Sequence, residues 1–180
     1  LLGFCGGLDP SLRSGDMVVS TYYRLDPKLP EGRLINQLEP NQNMFLKAVN
    51  VVAKKNMRWI AAPSITTNDI VEKRTEKSKL RVASNTATVN MEDFWVADFA
   101  RQRGIPFLSV RVVIDEADQE VSRDVLDLSL PHISRWKVLQ LVLSRPNELI
   151  RLRKLLFRLV FAKRKLGIFA GAFLASAEWS

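Results

Sequence analysis

The sequence predicts an α/β fold: a mixed central sheet flanked by helices and followed by a helical C-terminal tail. Three observations predict it. Short β-branched runs alternate with longer segments of helical periodicity from Asp16 onward. The run from Pro106 to Ile114 is largely apolar and β-branched, the pattern of a strand covered on both faces. Of the 180 residues, 47% are hydrophobic and 26% charged, enough to build one sizeable core.

Taken in order, Gly3 to Pro10 reads as a glycine-rich turn, and Asp16 to Ser20 as a short strand after the turn signal Ser14-Gly15. Residues 21–40 carry three prolines with no clear period and read as irregular. From Asn41 to Lys55 the apolar residues Phe45, Ala48, Val49 and Val52 fall at helical spacing. Met57 to Ala62 reads as a buried strand closed by Pro63. Asn68 to Lys79, polar and rich in lysine, reads as a solvated helix, and Ala83 to Val89 as a strand. A helix begins at Asn90, a good N-cap residue, and ends at Gly104, a good residue for the position after a helix. The strand Pro106–Ile114 follows and stops at the acidic turn Asp115-Glu116-Ala117-Asp118. After Leu130 the pattern is helical to the end. These elements divide into a body, residues 1–130, and a C-terminal extension, residues 131–180.

Charge divides the chain at the same place. The extension holds ten basic and two acidic side chains, which is the whole net charge of +8; the body is neutral. A neutral body argues against nucleic acid as the partner, and a basic tail suggests attachment to an anionic surface. The single cysteine, Cys5, excludes an internal disulfide and fits a cytoplasmic setting. His132 has no companion at metal-ligand spacing, so no metal site is expected.

Three segments carry chemistry. Gly6-Gly7-Leu8-Asp9-Pro10 is followed by Gly15-Asp16-Met17-Val18-Val19; Val89-Asn90-Met91-Glu92 comes next; Arg111-Val112-Val113-Ile114-Asp115-Glu116-Ala117-Asp118 is the third. In this order and spacing they resemble the purine-releasing nucleoside phosphorylase and nucleosidase family, over about residues 3–128. The first resembles its glycine-rich segment, the second its ribose-binding Met-Glu motif, and the third the Asp-containing segment of methylthioadenosine/adenosylhomocysteine nucleosidases. Asn90 stands where that family has an acid, and Ile114 where it has serine. Asp69 stands where it often has an aromatic residue.

The resemblance implies cleavage of the N-glycosidic bond of an adenine nucleoside. A purine leaves ribose more readily when N7 is protonated, and a neutral carboxyl group beside it can give that proton. Asp115, at the carboxyl end of an apolar strand, is the candidate acid, because open α/β sheets bind ligands at that edge and burial there favours the protonated form. A strand-end aspartate also caps turns. Glu92, in the first turn of its helix, would accept hydrogen bonds from both ribose hydroxyls; an acid there also suits the helix dipole. Met91 would pack on the sugar or simply fill the core. Cys5 and Gly6 would form the loop approaching the nucleoside, and Ile70 would lie against the purine. Arg111, if turned inward, needs a carboxylate partner. A Cys5/His132 nucleophile and base is the rival arrangement.

The resemblance implies no cofactor and leaves phosphate as a co-substrate for a phosphorolytic branch. The family's residues that separate hydrolysis from phosphorolysis precede the glycine-rich segment, so the chain reads as an N-terminally truncated copy, or as a non-catalytic remnant that binds a membrane surface. The family commonly forms homo-oligomers. The tail opens on Arg145-Pro146-Asn147-Glu148-Leu149 and places Arg151, Lys154, Arg158 and Lys165 on one side of a helix. Leu149, Leu152, Leu155, Leu156, Leu159 and Val160 fall on the other. Such a helix packs on the domain through its apolar side or lies on an anionic membrane. A tail of this kind on a nucleosidase body is similar to the branch associated with hopanoid biosynthesis. That branch acts on adenosylhopane, releasing adenine and a ribosyl or phosphoribosyl triterpenoid. Methylthioadenosine, adenosylhomocysteine and futalosine are the soluble alternatives.

Overall fold

The computed structural model describes residues 1–29, 36–120 and 146–176, with side chains of the last helix described at Arg153 and from Leu156 onward. Six strands form one mixed sheet: β1 (Leu2–Gly7), β2 (Met17–Leu25), β3 (Gln37–Leu38), β4 (Trp59–Thr66), β5 (Thr88–Asn90) and β6 (Val110–Asp115). Their order is β3-β2-β4-β5-β1-β6, and β6 also pairs with β2, so all but β3 close on themselves. β2–β4, β4–β5 and β1–β6 are parallel; β1–β5, β2–β3 and β2–β6 are antiparallel. Around them lie α1 (Gln42–Lys54), α2 (Arg74–Ser84), α3 (Asp93–Gln102) and α4 (Pro146–Ala175). The predicted mixed sheet with flanking helices and a helical tail is the architecture found.

Its elements differ from the sequence reading in informative ways. The glycine-rich start is strand β1, not a turn, because it is zipped on both sides by β5 and β6. β4 does not stop at Pro63 but runs through it to Thr66. Opposite Pro63, which has no N–H to donate, β2 shifts register between Ser20 and Tyr23. The Pro63 carbonyl still accepts from the Ala87 amide at 3.0 Å. β2 itself continues to Leu25 with Tyr23 fully buried, so the start of the supposedly irregular stretch is strand. The segment expected as a strand from Ala83 is instead the end of α2, which closes on Asn85 in the left-handed conformation; only Thr88–Asn90 are extended.

α1 forms where the apolar spacing predicts. Ala48, Val51 and Val52 are buried against Met17 and Val19 of β2 and Val110 and Val112 of β6. Asn41 starts it, its Oδ1 accepting the Met44 amide at 3.1 Å. Asn41→Ala is expected to lower stability by about 1 kcal/mol, read from the urea midpoint. α3 ends as expected, with Gly104 at φ +66°.

α4 reaches back over the same core, and the wheel reading of its faces is corrected. Ala162, Leu166 and Phe169 form its inward stripe. Two of the expected solvent-side cations turn toward the body: Lys165 donates to the Gly15 carbonyl at 2.6 Å, and Arg158 to Gln119 Oε1 at 2.6 Å. Phe157 and Val160 are instead exposed, at 74% and 68%. Backbone carbonyls at the end of the sheet need donors, and the long cationic side chains supply them while their stems pack. No helix among the described residues is long and apolar enough to cross a membrane.

Candidate active site

The carboxyl ends of β1, β4, β5 and β6 meet at a cavity of about 160 Å³. Phe4, Cys5 and Gly6 line it from β1, Ile114 and Asp115 from β6, and Val89 and Asn90 from β5; Met91 and Glu92 follow β5. Thr67, Asp69, Ile70 and Val71, from the segment after β4, complete the lining. Thus Asp115, Glu92, Met91, Cys5, Gly6 and Ile70, picked from the sequence as separate points, all border one space.

A bulge aims Asp115. β1 and β6 pair in regular register up to Cys5 opposite Val113, then Gly6 stands opposite Asp115, leaving Ile114 as the extra residue. Bulges of this kind bend a strand and redirect the side chain that follows. The close approach also explains Gly6. A Cβ there would come within 3.1 Å of both Asp115 Oδ2 and Val89 Cγ1. Asp115 is buried, and burial pushes its carboxyl above the ordinary range, prevailing over the opposing pull of Lys77 and Arg158.

Lys77 is the functional candidate that sequence reasoning missed. It belongs to the stretch expected to be a solvated helix, yet its side chain is only 1% exposed. Its ammonium contacts Asp115 Oδ2 and donates to the carbonyls of Glu116 and Gln119, both at 2.9 Å. Lys77, Leu80 and Ser84 form the stripe of α2 that faces the body; Lys79 falls off it, and Lys73, four residues before Lys77, precedes the helix as its exposed N-cap residue.

The other carboxylate is held from beneath. Arg111 turns inward from β6, as a strand arginine with a partner can. Its Nη2 lies 2.6 Å from Asp93 Oδ1 and 2.8 Å from Glu92 Oε2. Burial works against the guanidinium charge, but Asp93 and then Glu92 outweigh it and strengthen its hold on the proton. Asp93 is fully buried and also accepts from Ser109 Oγ at 2.6 Å, Asn90 Nδ2 at 2.9 Å and Ser64 Oγ at 3.2 Å. Asn90 meanwhile receives the amides of Glu92 and Asp93 on its Oδ1, at 3.1 and 2.8 Å, and so caps α3 from two residues upstream. Glu92, 59% exposed, is thereby anchored by one oxygen at the mouth of the cavity. Its neighbour Met91 is 43% exposed and Ile70 36% exposed, so the rim is apolar.

Cys5 packs with Leu12, Val18, Ala62 and Val113, and burial drives its thiol far up, away from the thiolate. It lines the pocket with its thiol favoured in the neutral form; the other member of the Cys5/His132 arrangement, His132, lies outside the described residues.

The phosphorylase superfamily model matches residues 1–135, three quarters of the chain. The chain belongs to the phosphorylase superfamily. Among solved structures it is similar to the 5′-methylthioadenosine/S-adenosyl homocysteine nucleosidase of Campylobacter jejuni. That match has a TM-score of 0.61 and 21% identity, over 67% of this chain and 57% of that one. It is similar also to the futalosine hydrolase of Helicobacter pylori, with a TM-score of 0.58 and 21% identity, over 66% of this chain and 55% of that one. At such identity the likeness is one of fold. The chain spans a little over half the length of these superfamily structures.

Proposed function

We propose that this superfamily member cleaves the N-glycosidic bond of an adenine nucleoside. One observation carries the reading: a buried acid with raised proton affinity, Asp115, and an anchored, accessible carboxylate, Glu92, border one cavity with an apolar rim. In this reading Asp115 gives its proton to purine N7 and the electron pair of the breaking C–N bond passes to the base. Glu92 accepts hydrogen bonds from the ribose hydroxyls and steadies the cationic sugar. Water or phosphate then takes the anomeric carbon. Met91 and Ile70 cover the nucleoside, and Gly6 gives its backbone close approach. The test is adenine release from methylthioadenosine, adenosylhomocysteine, futalosine and adenine nucleosides bearing a large apolar 5′ group, with and without phosphate. No release from any of them would sink the reading and leave a binding protein in its place.

The finer substrate reading is adenosylhopane, handled at the cytoplasmic face of a membrane by a homo-oligomer. The outward side of α4 supports it: Phe157, Val160, Phe161 and Ile168 are exposed there together with Arg153 and Arg164, an apolar and cationic surface suited to an anionic interface. The chain is expected to float with vesicles containing anionic lipid, and Phe157→Asp combined with Val160→Asp to reduce the bound fraction at least about tenfold. If the unaltered chain stays with the soluble fraction while releasing adenine, a soluble nucleoside is the substrate.

A further inference from the structure

The fully buried Lys77 is not accounted for by the reaction just described. A lysine loses several kcal/mol of solvation when taken from water and is kept inside only where its charge is fully answered. Here it is answered three times: by Asp115 Oδ2 and by the carbonyls of Glu116 and Gln119. The three acceptors use all three ammonium hydrogens. They also tie α2 to both ends of the turn that leaves β6, so the turn cannot move without breaking an ionic contact. Lys77 is absent from the cavity lining and reaches Asp115 from α2.

We propose that Lys77 is the positioning residue of the Asp115 acid: it fixes the carboxyl group against the cavity, and its charge sets how readily that group yields a proton to the departing base. This rests on the nucleosidase reading above. Lys77 touches neither substrate nor reacting atoms, and acts through Asp115 alone. Among the described residues, the other charged groups that face Asp115 are few. Arg158 reaches in from α4, donating to the Ile114 carbonyl at 3.4 Å and to Gln119 Oε1. Glu116 turns aside to the Ser14 amide at 3.1 Å and toward Arg13. From β1 comes the thiol of Cys5, held neutral by burial. Glu92, across the cavity, is engaged by Arg111. Of these, Lys77 alone makes direct ionic contact with Asp115.

The sign of the effect follows. The reaction needs Asp115 protonated, so kcat/KM falls on the alkaline side as that proton is lost. Removing the Lys77 charge leaves the carboxyl buried without its contact counter-charge, which makes the proton harder to lose and harder to give. Lys77→Met is therefore expected to lower adenine release about tenfold to a hundredfold and to move the alkaline limb upward by about one pH unit or more. Lys77→Arg, which keeps the charge, should return the limb toward its original place.

The decisive control is a substrate whose leaving group needs no proton, a nitrophenyl riboside. With it, Lys77→Met should keep the rate of the unaltered chain. A comparable loss on both substrates would overturn the proposal and make Lys77 a purely structural residue. If Lys77→Met does not fold, Lys77→Met combined with Asp115→Asn removes the buried ammonium and the acid it contacts together. Its residual adenine release should equal that of Asp115→Asn alone, and a further drop would overturn the proposal as well. An unmoved alkaline limb in a folded Lys77→Met that still releases adenine would reject the role of Lys77 and spare the nucleosidase reading. Failure of the unaltered chain to release adenine would reject the nucleosidase reading itself.

Discussion

Asp115→Asn is expected to lower adenine release by about two to four orders of magnitude, the usual contribution of a general acid. Asparagine has the same shape, its amide oxygen can still receive a hydrogen bond from Lys77, and Gly6 leaves the same space beside it. What it lacks is a proton to give. The loss should therefore appear in kcat far more than in KM, since Glu92, Met91 and Ile70 still line the nucleoside space. The pH dependence follows from burial, which raises the Asp115 carboxyl. Activity should persist above the ordinary carboxylate range and decline as pH rises through the raised value. Stability has the same sign. The folded chain holds this proton more tightly than the unfolded one. Asp115 therefore contributes stability that is fully present below the unfolded carboxylate value and lost as pH rises through the folded one. Asp115→Asn should flatten that part of the melting-temperature profile. A kcat within about threefold of the unaltered chain would remove Asp115 from the chemistry.

The geometry explains why so much of this site was legible. Asp115, Glu92, Met91 and Gly6 each sit at the end of a strand or the beginning of a helix, where short motifs fix both residue type and direction. Their meeting then follows from the parallel pairing of β1 with β6 and the antiparallel pairing of β1 with β5. Lys77 was not legible in this way. Lys73, Lys77 and Lys79 look alike in a polar segment, and only the packing of Leu80 and Ser84 decides which of them is taken inside. α4 was misread for a related reason. Leu149 to Val160 suggests an apolar stripe, but the buried stripe is set further along by Ala162, Leu166 and Phe169, leaving Phe157 and Val160 outside. Pro63 misled because its cost depends on the partner strand, and β2 accommodates it by a register shift that leaves no local mark on the sequence of β4.

The largest loss of stability is expected not at the acid but beneath Glu92. Asp93→Ala would strip the buried Arg111 of its closest counter-charge and leave Ser64 Oγ, Ser109 Oγ and Asn90 Nδ2 without their shared acceptor. Breaking one half of a buried ion pair costs about 3–5 kcal/mol, a large share of the roughly 5–15 kcal/mol that holds a domain folded. Glu92→Ala gives the contrast within the same network. Its carboxylate meets the same guanidinium at 2.8 Å but is 59% exposed, so water replaces it at a cost of about 1 kcal/mol or less. In urea the Asp93→Ala midpoint should fall sharply while the Glu92→Ala midpoint barely moves, and adenine release should respond in reverse for protein that remains folded at low temperature. Glu92→Ala removes the ribose acceptor itself. Asp93→Ala leaves Arg111 with Glu92 as its remaining carboxylate partner and so keeps that acceptor at the cavity mouth. Equal stability losses in the two variants would mean that Arg111 is not held from below by Asp93, and that the anchoring of Glu92 has another source.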